Sequence, residues 1–446
     1  MMPELKQFVP SSYCLKCRGC CRFAESPTIW APAGCSLVKN NEGYRCSHLN
    51  ETDNHCKIYK KRPLDCRLYP FLLIKRGSSL SLGLHKSCCF IEEKKPSLHD
   101  TRGYTDYLKK IVSTRGIVSL IKSNPHVAAD YQGDVEIIAE LNELYKKAYL
   151  PRLKRLTLQD KPLFDKYLRA HTTNLSAYHF VNIYIWKDLF HISWAIIENS
   201  LCVFYQDAIG MFMILPPLGK VSVEAIKKCF EVMNWYNQNS EISRIENVDE
   251  KDLAAYTRAG FKVKLKDTEY IYVRKNLAVL VGNTYKHKRA SCNHFSKYYK
   301  RAEFLPYRPS MFKDCLGLYN LWMAKRKEEN NDALYQQMIE DSMVSFNAAL
   351  KSYRNIGLRG YVVKVDDEIK ACSFGYPLHK GMFCILFEIC DLRLKGLAQF
   401  IFREFCRRVD GYTYINSMGI SDLDNLKKVK LSYRPLQEVK SYSIYQ

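Results

Sequence analysis

The chain has 446 residues, 47% of them hydrophobic and 13% aromatic, which is apolar material for two or three domains and excludes wholesale disorder. Lys and Arg number 68 against 46 Asp and Glu, a net charge of +22 that either attracts polyanions such as RNA, anionic lipid and phosphorylated ligands or marks an inert basic surface. The opening MMPELKQFVPSS lacks an apolar signal core and no run of about 18 apolar residues occurs, so the sequence predicts a cytosolic chain with reduced thiols and no transmembrane helix.

Of the 18 cysteines, ten lie between Cys14 and Cys89, and the other eight are scattered singly as buried apolar thiols are. The first group begins Cys14-Leu-Lys-Cys17-Arg-Gly-Cys20-Cys21. A C-x2-C spacing lets two thiolates reach one ion from a tight turn. Gly19 suits that turn, and Lys16, Arg18 and Arg22 favour thiolates nearby. Further on come Cys46-Ser-His-Leu49, Cys56-Lys-Ile-Tyr-Lys-Lys-Arg-Pro-Leu-Asp-Cys66-Arg-Leu-Tyr-Pro70 and Cys88. Over about the first 95 residues this resembles the YkgJ-type CxxCxxCC family of zinc- or iron-chelating domains. The resemblance implies Cys14, Cys17, Cys20, Cys21, Cys46, Cys56, Cys66 and Cys88 as metal ligands, with Cys35 outside the pattern. These are more thiolates than the four one zinc needs, so two metals or an iron–sulfur cluster would use them better. A disulfide framework and redox-sensing free thiols are the alternatives.

Residues 96–160 read as a helical connector, with apolar residues at helical spacing over 106–122 and 135–149 and a break at Asn124-Pro125. The body follows in two halves. In the first, 161–280, strands are predicted at 180–186, 192–198, 201–206, 211–215 and 270–273, with helices at 223–237 and 250–259. In the second, 281–446, helices at 311–327 and 334–353 precede a hairpin of 360–368 and 369–376 turning at Asp366-Asp367. A long strand at 382–390, a helix to 408, a strand at 412–416, a helix at 422–431 and a strand at 439–445 complete it.

This order resembles the GNAT acyltransferase fold, and the predicted class is α+β: a small Cys-rich metal-binding domain, 1–95, then a tandem GNAT-like fold. The turn Arg393-x-x-Gly396-x-Ala398 matches the family's donor-pyrophosphate turn, where free amides and a glycine make an anion nest. Its plain alternative is close helix–sheet packing. The first half lacks such a turn and reads as degenerate.

The blocks Tyr270–282, Tyr285-Lys-His-Lys-Arg289, Asn293-His-Phe295, Tyr414-Ile-Asn416, Lys430 and Ser432-Tyr-Arg-Pro435 resemble the C-terminal domain of phosphatidylglycerol lysyltransferases over about 155–446. That resemblance implies transfer of an amino acid from aminoacyl-tRNA to an amine or hydroxyl acceptor. Lys288 and Arg289 match its basic donor-binding pair, and Glu388, Asn416 and Lys430 match residues expected at the reaction centre. Glu388 would act as base, and Asn416 and Lys430 would donate to a developing oxyanion. Where many relatives carry acidic residues, Met418 and Ile420 stand here, and Gly419-Ile-Ser-Asp422 reads as a phosphate- or backbone-binding turn. No flippase segment is present, so a peptide, protein or small amine is favoured as acceptor over anionic lipid. The run Lys286, Lys288, Arg289, Lys297, Lys300, Arg301, interleaved with Tyr285, Phe295, Tyr298 and Tyr299, suits RNA or a solvated helix face. The leading expectation is an aminoacyl-tRNA-dependent transferase. Its rivals are an acetyl-CoA-dependent N-acyltransferase and a non-catalytic metal-bearing RNA- or protein-binding adaptor.

Overall fold

A computed structural model describes residues 5–17, 19–32, 34–220, 222–238, 241–421 and 423–446. Arg18 and Asp422, both singled out by the sequence pattern, lie outside them. The chain divides into two compact units, Met1–Arg152 and Leu153–Gln446.

In the first unit, strands β1 (Arg22–Phe23), β2 (Leu37–Asn40) and β3 (Gly43–Cys46) form one sheet in the order β1-β3-β2. Strands β4 (Phe71–Arg76), β5 (Ser79–His85), β6 (Ala128–Ala129) and β7 (Val135–Glu140) form another, ordered β6-β4-β5-β7. The helix expected over 106–122 is two helices, Leu98–Val112 and Arg115–Ser123, broken at Ser113 and Thr114. The helix expected over 135–149 begins as a strand. Val135-Glu-Ile-Ile-Ala-Glu140 pairs antiparallel with β5, and only Asn142–Tyr149 is helical. Its β-branched density overrode an apolar spacing that fits either period.

The second unit is built on one twelve-stranded sheet. Its strands are β8 (Lys154–Arg155), β9 (His191–Ile197), β10 (Ser200–Gln206), β11 (Met211–Met213), β12 (Ile245–Asp249), β13 (Lys262–Val273), β14 (Glu303–Pro306), β15 (Arg359–Val365), β16 (Glu368–His379), β17 (Met382–Cys390), β18 (Tyr414–Asn416) and β19 (Gln437–Tyr445). The order is β14-β15-β16-β17-β18-β13-β19-β12-β11-β10-β9-β8. The apolar run 180–186 is not a strand: Phe180–Tyr184 is a short buried helix, capped by His179, whose Nδ1 accepts from Val181 N–H at 3.2 Å. A short all-apolar run does not reveal its own period.

The two halves repeat one plan. Hairpin β9–β10 turns on Glu198-Asn199 and hairpin β15–β16 on Asp366-Asp367, each a two-residue turn with both φ values positive, the type that matches strand twist. A third strand then pairs parallel with a fourth across a helix. β11 meets β12 over Val223–Asn237, and β17 meets β18 over Leu397–Arg408. The last strands are exchanged: β13 of the first half pairs with β18 of the second, and β19 of the second lies between β13 and β12. The exchange welds the halves into one sheet.

Neighbouring residues of β16 face opposite sides. Cys372, Phe374 and Tyr376 meet the core that includes Leu318 and Phe346 of helices Phe312–Glu329 and Ala333–Lys351. Ala371 meets Leu397 and Ile401 on the other side. Helix Leu397–Arg408 buries Leu397, Ile401, Phe402 and Phe405, a stripe at i, i+4, i+5 and i+8, each side chain worth ~2 kcal/mol on burial.

Candidate functional site

Parallel strands β17 and β18 pair only over Met382–Tyr414, Phe383–Ile415 and Cys384–Asn416. Beyond that point β18 ends while β17 runs on to Cys390. The sheet therefore splays where Asn416 and Glu388 stand.

Asn416 is fully buried. Its Nδ2 donates to Glu269 Oε2 at 2.6 Å and to the Asn174 carbonyl at 2.8 Å, and its Oδ1 accepts from Met418 N–H at 2.6 Å. Glu269, on β13, accepts from Ser176 N–H at 2.9 Å and Ser176 Oγ at 2.7 Å. Tyr376 closes the network by donating to the Ser176 carbonyl at 2.8 Å. Burial raises the Glu269 carboxyl above its ordinary value, and the Asn416 and Ser176 donors partly oppose that. Sequence reasoning found Asn416 and missed Glu269, Ser176, Asn174 and Tyr376. The strand exchange brings Glu269 to Asn416, and the segment ahead of helix Phe180–Tyr184 brings Asn174 and Ser176 to them; a single acid in a β-rich run is the sole sequence signal.

Lys430, at the end of helix Asp424–Leu431, is 9% exposed. Its Nζ donates to the carbonyls of Ser417, Met418 and Gly419 at 2.5, 2.9 and 2.7 Å. All three N–H bonds thus hold one loop, and none is free in this conformation for a substrate oxygen. Burial lowers the amine to about 8, opposed by Glu269 and Asp267. A Cβ on Gly419 would stand 2.0 Å from Asp267 Oδ2, so no other residue fits there unmoved. Asp267 on the neighbouring strand β13 accepts from Ile420 N–H of this loop at 3.3 Å.

Glu388 faces Ser373 across the β16–β17 ladder. Glu388 Oε2 and Ser373 Oγ are both shielded from solvent and have no hydrogen-bond partner among the described residues. Unpaired buried oxygens are rare and call for a water, a proton or a ligand. Burial pushes the Glu388 carboxyl up to about 8, with Lys430 pulling it partly back. The group therefore carries its proton through neutral pH and sits where proton transfer near pH 8 is easiest.

The basic pair divides. Lys288 Nζ lies over the Tyr433 ring at 4.1 Å, and burial lowers its amine. Arg289 donates to the carbonyls of Leu280 and Gly282 and so closes the end of helix Arg274–Val279. At the expected donor turn, Arg393 makes a two-pronged pair with Asp391, Nε to Oδ1 at 2.9 Å and the guanidinium to Oδ2 at 2.7 Å. Gly396 has φ +88°, and a Cβ there would stand 2.2 Å from the Ser291 carbonyl of helix Lys286–Tyr298. Close packing thus accounts for the glycine, and Ala398 packs on the same core as Leu397 and Phe295. In the first half Glu246 pairs with Arg244 at 2.6 Å and with Lys266 at 2.5 Å.

The sequence profile of the phosphatidylglycerol lysyltransferase C-terminal domain matches residues 169–445. The chain belongs to that family. Among solved structures, a conserved protein of unknown function from Bacteroides thetaiotaomicron is 23% identical with a TM-score of 0.60, over 66% of this chain and 99% of its own. The fold of the second unit is shared with it. L-PGS from Bacillus licheniformis is 14% identical with a TM-score of 0.45, over 64% of this chain and 92% of its own. A tandem GNAT protein from the clavulanic acid biosynthesis pathway is 7% identical with a TM-score of 0.39, over 66% and 97%. No curated protein matches. Among the described residues of this lysyltransferase-family chain, no helix is long and apolar enough to cross a membrane.

The ten cysteines between Cys14 and Cys89 lie in the first unit, ahead of the family match. All ten line one cavity of about 620 Å3, together with His48, His85, Arg62 and Tyr69. Thiol chemistry suits zinc or iron. Yet among the described residues no group of three or more His, Cys, Asp or Glu side chains is placed to hold an ion. Cys46, expected as a ligand, is instead joined to Cys35 in a disulfide, Cα–Cα 6.3 Å. Cys46 pairs with Leu37 across β2–β3, which sets it beside Cys35. A hydrogen bond from Cys20, with Arg22 and Arg62 near, lowers the Cys21 thiol to about 7 against the effect of burial. Burial raises Cys66 to about 12. Cys14 and Cys88 are also raised by burial, and Cys89, outside the expected ligand set, is hydrogen-bonded to Cys17. Cys56 stands at the bridge with Leu49.

Proposed function

We propose that this chain transfers an aminoacyl group from aminoacyl-tRNA to an amine or hydroxyl acceptor. The observation that carries the reading is the shielded, unpaired Oε2 of Glu388 in the splay of β17 and β18, within a family whose description is a lysyltransferase. The ionised form of this carboxyl, about half of the molecules near pH 8, takes a proton from the attacking amine or hydroxyl and returns it to the departing ribose oxygen. Asn416 and Lys430 act as positioning residues: they fix the 417–419 loop that borders the splay, so the ester is held without reorganisation. The basic surface favours a polyanionic donor. The acetyl-CoA alternative has less support, because Arg393 is engaged by Asp391 and Ser291 closes Gly396.

The test is transfer itself. Purified chain is mixed with a pool of labelled aminoacyl-tRNAs and either phosphatidylglycerol vesicles or small amines, and label is followed into each acceptor. The proposal expects enzyme-dependent loss of label from tRNA, reduced at least 100-fold in Glu388→Gln. Label leaving tRNA only at the uncatalysed rate for every amino acid refutes it.

We also propose that Cys14, Cys17, Cys20, Cys21, Cys56, Cys66 and Cys88 bind zinc or iron. Their convergence on one cavity supports this, although ion binding would have to draw the thiols closer than they now stand. Elemental analysis of the purified chain, with Cys17→Ser and Cys20→Ser as controls, decides it: bound metal lost in the variants supports it, and equal metal in all three refutes it.

A further inference from the structure

An open cavity of about 470 Å3 lies at the other end of the paired stretch of β17 and β18 from the splay, lined by Arg359, His379, Lys380, Asp410 and Tyr412 with the backbone of Gly381 and Gly411. Neither Arg359 nor Lys380 has a carboxylate within ion-pair distance among the described residues, and Asp410 has no cation. Charges of both signs thus border one concave place without an ion-pair partner of their own. The Arg359 guanidinium lies over the Tyr412 ring at 5.6 Å, which orients its planar fork. Tyr412 is itself fixed: Arg274 Nε donates to its carbonyl at 2.7 Å.

The cavity is wired to the candidate centre. His379 Nε2 donates to Asn174 Oδ1 at 3.0 Å, which leaves Nδ1 as an acceptor. The Asn174 carbonyl in turn accepts from Asn416 Nδ2. Tyr412 and Asn416 are four residues apart in the chain, roughly 13 Å at 3.3 Å per extended residue, a distance that a few nucleotides of extended strand can span.

We propose that this cavity is a ribose-phosphate subsite for the RNA donor: Arg359 and Lys380 take a backbone phosphate and Asp410 accepts from a ribose 2′-hydroxyl. A bare anion gains from two cations but is repelled by Asp410; a ribonucleotide satisfies all three groups. The proposal rests on the aminoacyl-tRNA reading above, and names where the donor's terminal nucleotides lie.

Fluorescence anisotropy with a single-stranded oligoribonucleotide of acceptor-end sequence, and its deoxy counterpart, tests it. The lining side chains border open solvent, so the variants should keep the wild-type melting temperature. In Arg359→Ala/Lys380→Ala we expect about tenfold weaker binding and a log–log salt slope shallower by about 0.7 for each phosphate no longer neutralised. Arg326→Ala, on helix Phe312–Glu329, should match the wild type. Asp410→Asn should reduce the preference for ribo- over deoxyribonucleotide. If the wild type binds RNA and the double variant binds it equally with the same slope, the subsite is refuted while the donor reading stands. If the wild type binds no RNA but binds ADP through Arg359 and Lys380 by calorimetry, the cavity is a small-nucleotide site and the donor reading fails.

Discussion

Replacing Glu388 by Gln should stabilise the protein while removing its activity. Glu388 is half-buried with its Oε2 shielded and unpaired, and that desolvation lifts the carboxyl to about 8 from an ordinary 4.5. Between pH 4.5 and pH 7 the unfolded chain releases this proton and the folded chain keeps it. The folded value is raised for an acid, so the unfolded state binds fewer protons there and stability falls as pH rises through that window. The span to pH 7 is about 2.5 pH units, which at 1.36 kcal/mol per unit is about 3 kcal/mol, an upper figure for a group with some solvent access. Gln has the same shape and no charge, so the variant escapes that loss. Urea unfolding at pH 5 and pH 7.5 reads it out. The wild type should lose stability between the two by up to ~3 kcal/mol more than Glu388→Gln does, and the variant should be the more stable at pH 7.5. A variant less stable than wild type at both pH values, with parallel pH dependence, refutes the reasoning: Glu388 would then be an ionised, paired structural carboxylate.

Three further outcomes follow from the geometry. Gly396→Ala forces a left-handed backbone and a Cβ against the Ser291 carbonyl, so urea titration should show a loss of ~2–4 kcal/mol, with no coenzyme A-dependent thermal shift in the wild type to lose. Asn416→Ala strips a donor from Glu269 and from the Asn174 carbonyl. We expect ~2–4 kcal/mol of destabilisation and a transfer rate that Asn416→Gln does not restore, measured by unfolding and by turnover. Thiol labelling of denatured, unreduced chain should count 16 free thiols and rise to 18 on reduction, because Cys35 and Cys46 are bonded; 18 before reduction would remove that bond.

Much of the second half was legible because its signals are local. The Asp366-Asp367 turn needs two left-handed residues, the strand Met382–Cys390 is apolar at every position but Glu388, and helix Val223–Asn237 falls where the apolar spacing sets it. The errors arose where apolar spacing fits two periods, as at Val135–Glu140 and Phe180–Tyr184. The Glu269–Asn416 contact was invisible for a different reason: it depends on which strand β13 and β19 choose, and no local propensity records that choice. The cysteine spacing implied a shared metal site. The ten cysteines line one cavity, but among the described residues no group of three is placed to hold an ion, and Cys46 is in a disulfide that spacing did not reveal, since pairing is a matter of position in space and not of spacing in sequence.

The most direct measurement is a crystal structure with a non-hydrolysable 3′-amide analogue of aminoacyl-adenosine. The account predicts the amide carbonyl at the splay of β17 and β18, beside Glu388 and the 417–419 loop. An analogue seated instead at Gly396, or nowhere in the second unit at saturating concentration, would contradict it.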